Sequence, residues 1–430
     1  MRVLLVGDGA REHVIAKQLA RSCELYSVMS KKNPGIAGLS VKYYVCPLDA
    51  VEPIGSWAIQ NNAELAFVTS ESALANGLTD ALADAGVSLA CPSMAAAAFG
   101  SNTIYAENLI KAAGIPHPEH RVCKNEAEMK KALDELKSVV IKPAIRTELR
   151  GAKFTIMDFE KKKDAIVHGA SLIKRHGSVV LEKIINGEVF SVQAFTDGKR
   201  ITTMPPVQVA TRAEEGDIGD ITEGMGGFST GMLLPFMKAS DYESARDALE
   251  KIVSQLAARG IVYKGALHGR FIATSKGVQM IDLNSTLGSV ETVNNLGVLR
   301  SQLSDLLNSI ADGNLKSASF DELATVVKFV VPKKYPKATK KKERIEMDEK
   351  FIWENGANVF FESAQRVEGK YVTGEGRTLA VFANGRELAE AEARVETAIA
   401  GITGNVRHRN DIGTEKFLAQ RISHMKKIRG

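Results

Sequence analysis

Short apolar runs alternate with amphipathic stretches through the first hundred residues. Residues 3–6, 25–29, 65–68 and 87–90 are continuous enough to be buried strands. Between them, 12–22 and 76–85 place apolar residues at helical spacing. That alternation predicts a parallel sheet with crossover helices. Pro92-Ser93 interrupts it, and 101–113 then reads as a helix ended by Gly114-Ile115-Pro116. From Glu119 the character changes to α+β. Strands are expected at 139–142, 152–157, 179–184 and 189–196, and a turn-rich stretch at 211–230. A helix at 241–259 precedes a hairpin, 265–273 and 278–284, around Thr274-Ser275-Lys276-Gly277. Residues 294–312 read as a helix ended by Gly313, and the remainder holds more strands, a helix at 386–400 and a basic tail.

Composition narrows the class. The chain has 430 residues, 44% hydrophobic and 25% charged, enough for several domains with cores of their own. Its 56 Lys+Arg against 51 Asp+Glu give +5, too mild to point to nucleic acid. No apolar run approaches the roughly 20 residues that span a bilayer, and the start lacks the pattern of a signal peptide. Cys23, Cys46, Cys91 and Cys123 are scattered, which suggests reduced thiols and a cytoplasmic protein. The basic run 333–344 and the tail 416–429 read as solvated and identify no partner.

Four features can carry chemistry. Gly7-Asp8-Gly9-Ala10-Arg11-Glu12-His13 sits between a strand and a helix, where glycines let backbone N–H groups approach an anion. Glu12 stands where a dinucleotide fingerprint needs glycine, and Met29-Ser30-Lys31 supplies no acid for a ribose, so a nicotinamide dehydrogenase is disfavoured. The alternative is a turn that only packs a helix on a sheet. Asp282-Leu283-Asn284 puts two oxygen-bearing side chains on one face of a strand, suited to magnesium or to capping a turn. Lys142 ends the apolar strand Val139-Val140-Ile141, from which it can snorkel to solvent or reach a phosphate. Glu182 and Glu188 flank Ile184-Ile185-Asn186-Gly187, with Glu188 able to accept from ribose hydroxyls.

That order (strand lysine, acidic hinge, glycine-rich loop, strand Asp-x-Asn) resembles an ATP-grasp ligase. More narrowly, the chain resembles the glycinamide ribonucleotide synthetase (phosphoribosylamine–glycine ligase) family along almost its whole length. Gly7–His13 is similar to that family's opening Gly-Asn-Gly-Gly-Arg-Glu-His. Asn33-Pro34-Gly35 and Glu71 lie where its first domain has Pro-Gly-Asn and Gly-Pro-Glu loops. Pro205-Pro206-Val207-Gln208, Gly216-Asp217 and Thr222-Glu223-Gly224-Met225-Gly226-Gly227-Phe228-Ser229 follow its central signature. Val372-Thr373, Gly376-Arg377 and Arg409-Asn410-Asp411-Ile412-Gly413 resemble its terminal domain.

The resemblance implies an enzyme of purine biosynthesis. ATP phosphorylates the glycine carboxylate, and the amine of 5-phosphoribosylamine attacks the acyl phosphate. It implies a Rossmann-like pre-ATP-grasp α/β domain at 1–100, ATP-grasp lobes at 101–314 with a mobile lid at about 119–182, and a small C-terminal α+β domain at 315–430. ATP would be bound by Lys142, Glu182 (adenine hinge) and Glu188 (ribose), and magnesium or manganese by Asp282 and Asn284. Gly9, Arg11, Glu12, Asn33, Gly35, Glu71, Thr222, Gly224 and Gly226 would contact substrate. Arg150, Arg212, Arg270 and Glu291 would be catalytic. Glycine and 5-phosphoribosylamine are the implied partners, with no nucleic acid or membrane, and a monomer is compatible with the family.

The departures from the family fall at its phosphate and acceptor motifs. The flap after the strand lysine reads Ile145-Arg146-Thr147-Glu148-Leu149-Arg150-Gly151, with one glycine where the family has several and Arg150 at its lysine position. Val209, Ala210 and Thr211 replace Asp-His-Lys before Arg212, and Asp220-Ile221-Thr222 replaces Pro-Asn-Thr. Thr286 and Ser289 stand where Arg and Asp are usual, and Arg270 appears at a position that tends to be apolar. A paralogue with an altered acceptor, or a non-catalytic nucleotide or sugar-phosphate binder, is therefore the alternative reading.

Overall fold

The computed structural model describes residues 1–146, 162–337 and 342–430. The strand expected at 152–157, Arg150 and part of the basic run lie outside the described residues.

Five parallel strands form the first sheet, in the order Lys42–Val45, Glu24–Met29, Arg2–Val6, Leu65–Val68, Ser88–Leu89. Val3 to Val6 are fully or almost fully buried, as an unbroken apolar run at the centre of a parallel sheet requires. The edge strand Lys42–Val45 has no counterpart in the apolar pattern, because Lys42, Tyr43 and Val45 are exposed. Strand order reverses beside Arg2–Val6, so a crevice opens at its carboxyl end next to Leu65–Val68.

A smaller antiparallel sheet, His120–Cys123, Val179–Lys183 and Val139–Pro143, packs with helices Glu126–Leu136 and Lys162–His176. These elements share an apolar core separate from the main one, including Met129, Ile141, Val179 and Leu181. A second antiparallel sheet joins Ile201–Thr203, Glu188–Thr196 and the hairpin Gly265–Thr274/Gly277–Asn284. In that hairpin Arg270 pairs with Asp282 and His268 with Asn284, with a bulge just after Arg270. Directly paired residues share a face, as do residues two apart, so these four side chains leave the sheet on one side.

Two expectations change. The stretch 211–230 is not a run of turns but belongs to the strand pair Gln208–Glu214 and Ile218–Ser229. Its glycines serve close approach: a Cβ on Gly226 would lie 2.2 Å from the Val327 carbonyl oxygen. The pair continues into Ala324–Pro332, Leu379–Gly385 and Ala357–Phe361, so this sheet draws strands from both sides of residue 315. Residues 294–312 divide into the end of Ser289–Leu296 and a second helix, Leu303–Ala311, because the N–H groups of Arg300 and Ser301 turn aside to bond the Ser319 carbonyl. The basic tail forms the helix Glu415–Arg429, and its Arg429 forks onto Asp241 with two bonds of 2.8 Å.

Candidate active site

The turn after Arg2–Val6 is built around a carboxylate. Gly7 has φ +146°, and a Cβ there would meet Glu12 Cγ and Thr69 Oγ1 at 2.5 Å. Glu12 accepts from Gly9 N–H at 2.7 Å, Thr69 Oγ1 at 2.7 Å and Arg11 Nε at 2.5 Å. Burial pushes the Glu12 pKa up, but Arg11 and Thr69 together hold it below the usual value. The next amide, Ala10 N–H, donates to Glu362 Oε2 at 2.7 Å. The helix start expected to receive an anion therefore already holds two carboxylates of the protein. Arg11 donates to the carbonyls of Leu287 at 2.5 Å and Thr69 at 2.8 Å, fastening the first domain to the loop beyond Asn284.

Asn33 and Gly35 lie behind this turn. The Asn33 amide donates to the carbonyls of Asp8 (3.0 Å) and Phe361 (2.8 Å), and its oxygen caps the short helix Pro34–Leu39. Gly35 lies against the His13 ring, where a Cβ would sit 2.0 Å from Cε1. Burial, helped by Lys17, lowers the His13 pKa to about 3, and neutral Nδ1 accepts from Phe361 N–H at 3.0 Å.

Lys142, next to last in its strand, has all three donors engaged: Glu182 at 2.7 Å, the Ile281 carbonyl at 2.7 Å and Glu107 at 3.3 Å. Two buried carboxylates thus share one ammonium. Burial raises the Glu182 pKa to about 7, Glu107 adding to the rise against the pull of Lys142. No motif in the sequence points to Glu107. Its signal was an acid on the buried face of Thr103–Ala112, one residue from Ala106 and three from Ile110.

Asp282 and Asn284 do converge, but on a guanidinium. Arg146 donates to Asp282 Oδ1, to Asn284 Oδ1 at 2.6 Å and to the Leu283 carbonyl at 3.1 Å. Burial alone would raise the Asp282 pKa; Arg146, then Lys142, Arg270 and His268, bring it down to about 2. Asn284 also donates its amide to Asp282 Oδ2 at 3.3 Å. Among the described residues no group of three or more His, Cys, Asp or Glu side chains could hold a metal ion. As arranged, the pair does not fit a directly bound divalent ion. Glu291 is turned instead to His268, 3.1 Å from its Nε2. Arg270 projects into the cleft from the position paired with Asp282.

One cavity of about 610 Å³ collects most of these groups. Its wall includes Gly9, Arg11, Glu12 and Glu71 of the first domain, Lys142, Arg146 and Glu182 of the small lobe, and Arg212, Thr222, Arg270, Asp282, Asn284 and Glu291. Glu71 Oε1 accepts from Thr286 Oγ1 at 3.2 Å, closing the wall between the first domain and the hairpin. Asn33, Gly35, Glu188, Gly224 and Gly226 are not on that wall. Glu188 is held by Gln208 Nε2 at 3.0 Å and by His424 Nδ1 at 2.6 Å, from the terminal helix. Gly224 presents its carbonyl to Arg377 at 3.0 Å, and Arg377 also pairs with Glu362 at 2.5 Å. Arg409, fully buried, bonds the Arg212 carbonyl at 2.9 Å and Asp217 at 2.8 Å, so the terminal motif clasps the hairpin that carries Arg212 and Thr222.

Comparison with known proteins follows the same division. Residues 1–100 match the phosphoribosylglycinamide synthetase N domain, 101–292 its ATP-grasp (A) domain and 325–415 its C domain. The chain is 35% identical over 435 residues to the phosphoribosylamine–glycine ligase of Methanobrevibacter smithii, covering all of both chains. It is 36% identical over 434 residues to that of Pyrococcus furiosus, covering 100% of this chain and 98% of the other. The crystal structure of phosphoribosylamine–glycine ligase from Thermotoga maritima superposes with a TM-score of 0.81 at 20% identity, covering 96% of this chain and 100% of that one. No helix among the described residues is long and apolar enough to cross a membrane.

Proposed function

Because the chain belongs to the phosphoribosylglycinamide synthetase family, we infer that it is an ATP-dependent ligase joining glycine to 5-phosphoribosylamine in purine biosynthesis. The observation that carries this reading is the single cavity in which the first-domain turn faces Lys142, Arg212 and Arg270. A glycine carboxylate oxygen attacks the γ-phosphorus of ATP, and ADP leaves. The phosphoribosylamine nitrogen then attacks the acyl carbon, loses a proton and expels phosphate. Such chemistry asks the protein for positioning and charge neutralisation more than covalent help. Lys142 and Arg270 supply positive charge to the phosphates, Glu182 lies at the adenine side, and Arg11, Glu12 and Glu71 shape the acceptor side. Arg150, Arg212 and Glu291 complete the catalytic set, with Thr222 beside the acceptor. Glu188 faces the ribose only if His424 yields it, whereas Asn33, Gly35, Gly224 and Gly226 act by fixing backbone around the site.

Residues 1–100 would present the acceptor side, 101–314 the nucleotide side with a lid at about 119–182, and 315–430 a brace. Lid closure keeps water from the acyl phosphate. Magnesium or manganese would accompany ATP, because Asp282 Oδ1 and Asn284 Oδ1 are committed to Arg146. Small-molecule substrates, the cytoplasm and a monomer complete the reading.

Phosphate release from Mg-ATP and 5-phosphoribosylamine, assayed with and without glycine, tests it. Release should require glycine and match amide formed mole for mole. Release indifferent to glycine, or preferring another amino acid, would favour a changed acceptor. A pH effect is also expected. As pH rises through about 7, Glu182 loses its proton and adds negative charge beside Lys142. ATP affinity should therefore weaken between pH 6 and 8, and Glu182→Gln should flatten the profile in equilibrium titrations. A wild-type profile that is already flat would count against Glu182 titrating beside Lys142 in this range.

A further inference from the structure

We propose that Arg146 is a resident cation: its guanidinium takes the place of a directly bound divalent ion between Asp282 and Asn284 and meets the nucleotide's phosphates there. The inference rests on reading the cavity as an ATP site.

Four observations carry it. First, all three oxygens of the two side chains already carry a hydrogen bond without a metal. Asp282 Oδ1 takes Arg146 and the Leu283 N–H (3.0 Å), its Oδ2 takes the Asn284 amide, and Asn284 Oδ1 takes Arg146 at 2.6 Å. Second, the guanidinium is held from behind as well as in front. Its Nε donates to Thr103 Oγ1 at 3.3 Å, and the backbone N–H of Arg146 bonds the Ser101 carbonyl at 2.7 Å. The neighbouring Ile145 bridges to Asn102. The cation is therefore preset by main chain, not a surface side chain that has swung inward; it is 8% exposed. Third, a guanidinium has five N–H donors. Four are used by Thr103, Leu283, Asn284 and Asp282, and one has no partner among the described residues. Arg146 forms part of the cavity wall, where a phosphate oxygen can take that donor. Fourth, Arg270 stands at the position paired with Asp282 and lines the same wall. Arg146, Lys142 and Arg270 thus surround the carboxylate with positive charge without a metal.

A binding site of this kind should hold nucleotide with little help from metal. Manganese titration of the full chain, followed by electron paramagnetic resonance without nucleotide, is compared for the wild type and Arg146→Met. ADP binding is then measured by calorimetry in EDTA and in magnesium. The wild type should take up no manganese at this pair, and its ADP affinity should change by less than about threefold between the two buffers, whereas Arg146→Met should gain a manganese site and lose about tenfold or more in EDTA, restored by magnesium. Arg146→Lys keeps the charge without the planar fork and should fall between them, which preserves the test if the Met variant folds poorly. Equal manganese uptake by wild type and variant, or undiminished metal-free ADP binding by the variant, overturns the proposal. If ADP binds to neither protein in any buffer, the nucleotide-site reading fails, and the proposed phosphate contact with it.

Discussion

Replacing Lys142 with methionine should cut glycine-dependent turnover by about 10²–10³-fold, the range for removing one preorganised group from developing charge. The same change should also destabilise the fold, and the two effects can be separated. Lys142 is the one ammonium between Glu182 and Glu107, both 4% exposed. Removing it leaves buried carboxylates facing each other, a loss of about 3–5 kcal/mol for breaking a buried pair. Lys142→Met/Glu182→Gln removes most of that repulsion, so its urea midpoint should return toward the wild type while turnover stays low. Turnover that recovers together with stability would mean that Lys142 holds the lobe and does not serve the phosphates.

Arg377→Met should be the most destabilising single change in the terminal domain. Its guanidinium lies 4.1 Å from the Phe329 ring centroid, bonds the carbonyls of Glu223 and Gly224 at 3.0 Å, and pairs with Glu362. Glu362 in turn receives Ala10 N–H, so one charge pair connects the terminal domain, the glycine strand and the first helix. Despite burial, Glu362 and Glu223 hold the Arg377 pKa above its ordinary value. Truncation strands Glu362 against the cavity, for an expected loss of about 3–5 kcal/mol. A double-mutant cycle with Glu362→Gln, read by chemical denaturation, should return a coupling of at least about 1 kcal/mol. Additive losses would show that the two side chains act independently.

What the sequence disclosed follows from which forces act locally. The central strand Arg2–Val6 declares itself because burial on both faces demands an unbroken apolar run. The edge strand Lys42–Val45 does not: only Tyr44, stacked on Trp57, is partly buried, and the rest is held by backbone pairing. The glycines of Ile218–Ser229 suggest turns, yet Gly226 answers a neighbour about a hundred residues away, the Val327 carbonyl. The site divides in the same way. That Lys142, Asp282 and Asn284 face one cavity is legible from strand position and order; their roles are not. Arg146 was not, because its acceptors at 282–284 are adjacent only after folding. Asn33 drew notice as a possible substrate contact; its hydrogen bonds go to backbone, a role that a motif alone does not distinguish.

The small lobe around Met129 and Ile141 is insulated from solvent by its own thin apolar cluster, and Lys142 and Arg146 fasten it to the neighbouring strand. Warming would loosen that lobe while the first sheet stays intact. A moderately heated sample would then recover on cooling, because the surface on which the lobe re-forms has never come apart.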